Sequence, residues 1–148
     1  MSLERACATA AHWTEQQYHA ILHPREGDPH RLVIVAEALP RELSGASLNA
    51  IAEIGGFLVA QQLPPEWELE NIVVAPTARR IGLGMRLIQA LLVKARETNS
   101  EAVYLEVRES NTAARSLYEK AGFALTGRRK SYYSNPPEDA VLYRLRLP

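Results

Sequence analysis

The segment Glu66–Val107 changes its hydrophobic period partway along, and that change restricts the fold more than any other feature of the chain. Glu66–Val74 (EWELENIVV) has the β-branched density of a strand and is stopped by Pro76. From Gly82 to Glu97 the period becomes helical. Leu83, Leu87, Leu91 and Ala95 recur every four residues beside Ile88 and Leu92, the apolar stripe of a helix that faces a core. Ala102–Val107 (AVYLEV) is again a strand, and Ser110 or Asn111 can cap a helix running to Ala121 with Gly122 as its C′ residue. Strand, helix, strand, helix predicts a mixed α/β sheet.

The flanking segments extend that sheet. Thr14 with Gln17 forms a capping box for a short helix to about Leu22, with Trp13 and Tyr18 at the staple positions. Arg31–Ala38 (RLVIVAEA) and Ile51–Gln62 read as strands around the loop-like Leu39–Asn49, and Gly55-Gly56 suggests a bulge or a close backbone approach. After Ala121 the reading is a short Phe123–Thr126 segment, a loop through Asn135-Pro136-Pro137, and a strand Val141–Leu147 in an antiparallel pair. The chain has 148 residues, and ~100–200 residues make one domain, so residues 1–148 are read as a single domain.

Charge and composition narrow the function. Seventeen Lys+Arg balance seventeen Asp+Glu, which removes the polycation signature of a nucleic-acid binder. The balance hides an asymmetry: residues 1–74 hold four basic and ten acidic side chains, residues 75–148 thirteen and seven, so an anionic ligand favours the second half. The single cysteine, Cys7, excludes an internal disulfide, and no apolar run approaches the ~20 residues that span a bilayer. Met1–Ala11 lacks the apolar core of a signal peptide, being interrupted by Glu4 and Arg5, so a cytoplasmic protein without membrane contact is expected. His19 and His23 stand at helical spacing, but without an HExxH motif or a cysteine partner no metal is expected.

Chemistry concentrates in two places. Arg79-Arg80-Ile81-Gly82-Leu83-Gly84 joins a strand to the long helix, where unpaired N–H groups and bare glycines suit a phosphate or pyrophosphate and Arg79, Arg80 and Arg86 add mobile cations. It is neither a Walker loop nor a dinucleotide fingerprint. Glu106 lies in an apolar strand, where a carboxylate is costly unless paired or functional; Arg108 and Arg115 are the nearby partners. Tyr118 reads as a half-buried helix tyrosine beside Leu117 and Ala121, and Asn111 as an N-cap. Glu68 and Glu70 share a face, either as surface charges or as holders of a cationic peptide N-terminus. The Arg128-Arg129-Lys130 run with Tyr132-Tyr133 reads as solvated loop charge, with direct nucleic-acid binding not expected.

Arg79, Gly82 and Gly84 match the Arg/Gln-x-x-Gly-x-Gly/Ala loop of the Gcn5-related N-acetyltransferase (GNAT) superfamily, which the chain resembles. Leu105-Glu106-Val107-Arg108, Ser110-Asn111, Ala113-Ala114, Leu117-Tyr118 and Gly122-Phe123 resemble its ribosomal-protein-alanine N-acetyltransferase branch, RimI type, with Arg129 and Tyr132-Tyr133 extending the likeness. The resemblance implies the GNAT fold, a mixed central sheet with helices on both faces. It implies acetyl-CoA as cosubstrate, bound by Ile72, Val73, Val74, Arg79, Arg80, Ile81, Gly82, Leu83, Gly84, Met85 and Asn111. It implies Glu106 as general base and Tyr118 as general acid, with Glu68 or Glu70 as the competing base, and a peptide or protein N-terminus, of a ribosomal protein in the nearest branch, as acceptor. Only twelve residues precede Trp13, too few for the family's first strand and helix, so that edge strand is expected to be missing.

Overall fold

The computed structural model describes residues 13–38 and 53–148. Helix α1 (Glu15–Leu22) starts as its capping box dictates: the Gln17 N–H donates to Thr14 Oγ1 at 3.3 Å and the Thr14 N–H to Gln17 Oε1 at 2.7 Å. The Trp13 and Tyr18 rings close the staple with centroids 5.6 Å apart. Strands β1 (Arg31–Ala38), β2 (Glu53–Leu63) and β3 (Glu66–Val74) follow, then a 3₁₀ turn (Pro76–Ala78), α2 (Leu83–Glu97), β4 (Ala102–Arg108), α3 (Thr112–Lys120), β5 (Ala124–Ser134) and β6 (Pro137–Arg146). The strands order as β1-β2-β3-β4-β6-β5. Neighbours are antiparallel except β3 and β4, which run parallel because α2 crosses between them.

The core lies between the sheet and α2 with α3. Leu83, Leu87, Ile88, Leu91, Leu92 and Ala95 of the α2 stripe are all buried, as the four-residue period predicts. All but Leu83 meet Leu58, Ala60, Trp67, Leu69, Val103, Leu105 and Tyr143 from the sheet, and Leu83 packs with Ala75 and Ala78. The buried indole of Trp67 donates to Thr98 Oγ1 at 3.0 Å, so its polar edge is satisfied at the end of α2. On the opposite sheet face α1 sets Tyr18 edge-on to Phe57 at 5.9 Å, and Asn71 donates to the Tyr18 hydroxyl at 3.2 Å. Helices on both faces of a mixed sheet are thus observed.

Gly55 and Gly56 fulfil both halves of the sequence expectation. The β1–β2 register steps from Ala36 opposite Gly56 to Glu37 opposite Ile54, which leaves Gly55 as a bulge residue. A Cβ on Gly56 would lie 2.7 Å from the Val73 carbonyl oxygen and 3.4 Å from Leu83 and Leu87, so this glycine lets β3 and the start of α2 close on β2.

The C-terminal hairpin differs from expectation. Where the sequence reads a short segment and a loop, β5 runs through Arg128-Arg129-Lys130 to Ser134, and β6 begins at Pro137, opposite Ser134. Its charges conceal the strand because it is the sheet's outer edge, where charged side chains are tolerated and discourage edge-to-edge pairing, and Pro is accepted as a first strand residue. The expected missing first strand, the Leu39–Asn49 loop, Cys7 and the start of the Ile51–Gln62 strand lie outside the described residues.

Replacing Gly56 by Ala is expected to destabilise the fold by ~1–3 kcal/mol, because the obstacle is backbone. Gly127→Ala, with nothing within 4 Å of the added Cβ, should stay within ~0.5 kcal/mol. Urea unfolding of the two variants measures the difference.

Candidate active site

The parallel β3–β4 ladder is short. It pairs Glu66 with Ala102 through Leu69 with Leu105 and ends there. The cause is visible on the other side of β3: Ala60 faces Leu69 while Val59 faces Asn71, so Glu70 is an extra residue and bends the strand. From Glu70 to Val73, β3 has no partner in β4, and a wedge opens between the C-terminal ends of the two parallel strands. The bulge also exchanges faces, so that Ile72 and Val74 pack toward α2 while Asn71 reaches Tyr18 of α1.

The turn from β3 to α2 sits at the end of that wedge. Arg80 (φ 64°) and Gly82 (φ 80°) both take left-handed backbone, and Gly82 is the N-cap without a side-chain cap. The first helical bond runs from the Arg86 N–H to the Gly82 carbonyl at 3.0 Å, so the N–H groups of Leu83, Gly84 and Met85 have no partner inside the helix. A Cβ on Gly82 would meet nothing within 4 Å, whereas one on Gly84 would lie 2.9 Å from Leu117 Cδ2 and 3.7 Å from Val74 Cγ2. One glycine keeps the turn open; the other lets α2 settle against α3 and β3. Leu83 is buried, Arg79, Arg80 and Ile81 are exposed, and Arg79 Nε lies 3.4 Å from the Val74 carbonyl oxygen.

The sheet face turned away from α2 carries the carboxylates. Glu106 follows directly on the last β3–β4 pair, at the crotch of the wedge. Its partner is neither Arg108 nor Arg115: Arg129 Nη2 of β5 lies 3.0 Å from Glu106 Oε1. Arg108 is drawn instead to the hairpin end, where it meets Glu138 at 3.2 Å and lies over the Tyr133 ring at 4.1 Å. Arg115 projects from α3 to the Tyr143 hydroxyl at 3.2 Å and the Glu109 carbonyl. The basic run on β5 is therefore not free loop charge; Arg128 also pairs with Glu109 at 2.6 Å.

Glu70 forms a two-point ion pair with Arg31, at 2.7 and 2.9 Å, and Glu68 accepts from the Tyr104 hydroxyl at 3.2 Å. Burial raises the Glu68 carboxyl above its ordinary range, with the charges of Glu70 and Glu106 adding to it and the Tyr104 bond opposing. Burial and the Glu68 carboxylate push the Tyr104 phenol up to about 12. A hydrogen bond to Glu106, and the charge of that carboxylate, raise Tyr132. Arg31, Tyr104 and, as residues of this cluster, Arg129 and Tyr132 escape residue-by-residue reading, because each reaches its carboxylate from another strand.

Tyr118 projects from α3 into the core, 5% exposed, with its ring 6.0 Å from Phe123 and 6.2 Å from Tyr143. Burial, followed by the nearby Tyr133, pushes its phenol far above the ordinary value. Asn111 caps α3, its Oδ1 accepting the Ala114 N–H at 3.2 Å. His19 and His23 stack with centroids 4.3 Å apart, and among the described residues no group of three His, Cys, Asp or Glu is placed to hold a metal ion.

Residues 2–123 match the model of the acetyltransferase (GNAT) family. The ribosomal protein bS18-alanine N-acetyltransferase of Escherichia coli is 32% identical over 97% of this chain and 94% of its own length. Its crystal structure superposes with a TM-score of 0.74, at 28% identity, over 98% of this chain and 83% of that one. The Haemophilus influenzae protein of the same name is 42% identical across 61% of this chain, a match spanning 63% of that relative. A putative streptothricin acetyltransferase from Bacillus anthracis, solved in complex with acetyl coenzyme A, superposes with a TM-score of 0.65 at 28% identity over 82% of this chain and 65% of that one. With a family match across most of its length and a relative aligned nearly end to end, the chain belongs to the acetyltransferase (GNAT) family.

Proposed function

We propose that the chain moves the acetyl group of acetyl-CoA directly to an α-amino group, the N-terminus of a ribosomal or other protein. The wedge between β3 and β4 carries this reading, because it joins open strand edge, bare helix amides and a carboxylate along one path. The pantetheine arm lies along Ile72–Val74 as an added strand, and the diphosphate rests on the N–H groups of Leu83, Gly84 and Met85 beside Arg79 and Arg80. Ile81 flanks the turn, and Asn111 supplies a hydrogen bond to the cofactor, as the family resemblance implies. A backbone N–H near Val73 or Val74 steadies the oxyanion as the thioester carbonyl becomes tetrahedral.

The amine nitrogen attacks the thioester carbon and the carbon–sulfur bond breaks, with no acyl-enzyme between. Glu106 takes the amine proton through water, and Tyr118 gives its proton to the departing sulfur. Burial keeps that phenol protonated before the transfer. Glu68 and Glu70 draw the cationic acceptor, while the raised carboxyl of Glu68 favours it as a competing base. An α-amine with pKa ~7.7–8.0 is ~10% neutral at pH 7, whereas a lysine at ~10.4 is neutral to only ~0.04%, so an N-terminal acceptor needs the smaller assistance. The names of the bS18-alanine enzymes support an N-terminal alanine as the first acceptor to try.

Thiol release from acetyl-CoA with a hexapeptide beginning in alanine tests the activity, and turnover only on lysine or small amines would remove the N-terminal reading. Glu106→Gln is expected to lower kcat by ~10²-fold or more, with Glu68→Gln staying within about tenfold; the reverse order would make Glu68 the base. Tyr118→Phe should lower kcat and leave the KM for acetyl-CoA unchanged, so a higher KM at constant kcat would assign it to packing. Arg79→Gln with Arg80→Gln is expected to weaken acetyl-CoA binding about tenfold, by an amount that shrinks as salt is raised. Calorimetry reads this, and no uptake of acetyl-CoA by the unaltered protein at millimolar concentration would end the proposal.

A further inference from the structure

The Glu106–Arg129 pair is uneven. The Glu106 side chain is 13% exposed and fixed within the sheet, while that of Arg129 is 54% exposed and reaches in from the edge strand. The guanidinium keeps much of its hydration and holds the carboxylate from the solvent side, so a competing cation can replace it. Arg129 also has somewhere to go: its Cζ already stands 5.5 Å from the centroid of the Tyr132 ring, whose face attracts cations.

The backbone holds this arrangement in place. Between Arg129, opposite Ala140, and Tyr133, opposite Glu138, three residues of β5 face one of β6. The bulge is pinned at Ser131, which takes φ 49° and donates its N–H to Asp139 Oδ1 at 2.8 Å. Asp139 also lies 3.7 Å from Arg128. The surrounding face lacks one positive charge. Glu66, Glu70 and Glu106 each meet an arginine, Arg144, Arg31 and Arg129 respectively. Glu68 meets the neutral Tyr104 and has no ion pair among the described residues.

We propose that Arg129 is an internal stand-in for the acceptor's ammonium group: it occupies Glu106 until a cationic N-terminus takes that place, then moves onto Tyr132. Acceptor binding is then an exchange of one cation for another, and Arg129 becomes a specificity-determining residue against ligands without a positive N-terminus. The inference rests on the reading of Glu106 as the carboxylate that meets the amine.

The test is calorimetric binding of an alanine-starting hexapeptide to the CoA-loaded protein, with the N-acetylated hexapeptide as the uncharged control. Arg129→Gln should bind the free-amine peptide about two- to fivefold more tightly than the unaltered protein, and Arg129→Lys about as the unaltered protein does. Neither should change binding of the acetylated peptide, and the gain should vanish when Glu106→Gln is combined with Arg129→Gln. Weaker or unchanged free-amine binding in Arg129→Gln, or an equal change for both peptides, overturns the proposal. Turnover by Glu106→Gln judges the base separately from these affinities, and a free-amine peptide that binds no variant removes the acceptor reading and this inference together.

Discussion

The rest of the site depends on the point where β3 and β4 stop pairing. Parallel strands joined by a helical crossover would ordinarily continue their ladder and bury both faces. Here one inserted residue, Glu70, ends it after Leu69 and Leu105. A regular β3 would satisfy its main chain against β4 and leave no edge for a ligand. Bent, it keeps β2 as its partner on one side and opens on the other, so an element of the core also forms one side of the wedge. The cost is confined to a few hydrogen bonds, because Leu58, Leu69, Ile72 and Leu105 still pack in the same cluster with α2.

That packing fixes where the groove ends. The stripe Leu83, Leu87, Leu91 anchors α2 along its length, and burying such side chains contributes ~1.5–3 kcal/mol each. The first turn of the helix therefore cannot drift from the strand it follows. Gly56 beneath it brings the backbone closer than a side chain would permit, and Gly84 lets Leu117 pack against the first turn. One helix thus presents two surfaces, the buried stripe that stabilises the fold and the amide end where the proposed diphosphate site lies.

Much of this is legible in the residues. Thr14 with Gln17, the four-residue leucine period, Gly82 at the helix start and Asn111 at α3 are local signals, each satisfied within one turn of chain, and the structure reproduces them. Glu106 also stands out, since a carboxylate between Leu105 and Val107 needs a reason. Its partner does not stand out. Arg108 and Arg115 are nearer in sequence, but contact follows strand order, and β6 carries β5 up to the edge where Arg129 crosses to β4. The hairpin that makes this possible is hidden by its own charges, which resemble a loop until Glu106, Glu109 and Asp139 are seen to neutralise them. The Glu70 bulge is hidden for a different reason: Trp67, Leu69, Asn71 and Val73 alternate without a break in one dimension, and only the partner strand shows that a residue is in excess.

Glu68 ties the electrostatics of this face to its proposed use. Its carboxyl is raised in the folded chain, so the folded state holds that proton more firmly than the unfolded one. Its contribution to stability is fully present below the ordinary carboxylate pKa and is lost as pH rises through the raised value. When ionised, Glu68 carries a charge that burial opposes and Arg129 offsets only in part. A cation entering the groove relieves this penalty and lowers the carboxyl again. A neutral ligand of the same shape gains nothing from Glu68. On the proposed reading, the group that destabilises the empty fold slightly is the one that makes a charged N-terminus worth admitting.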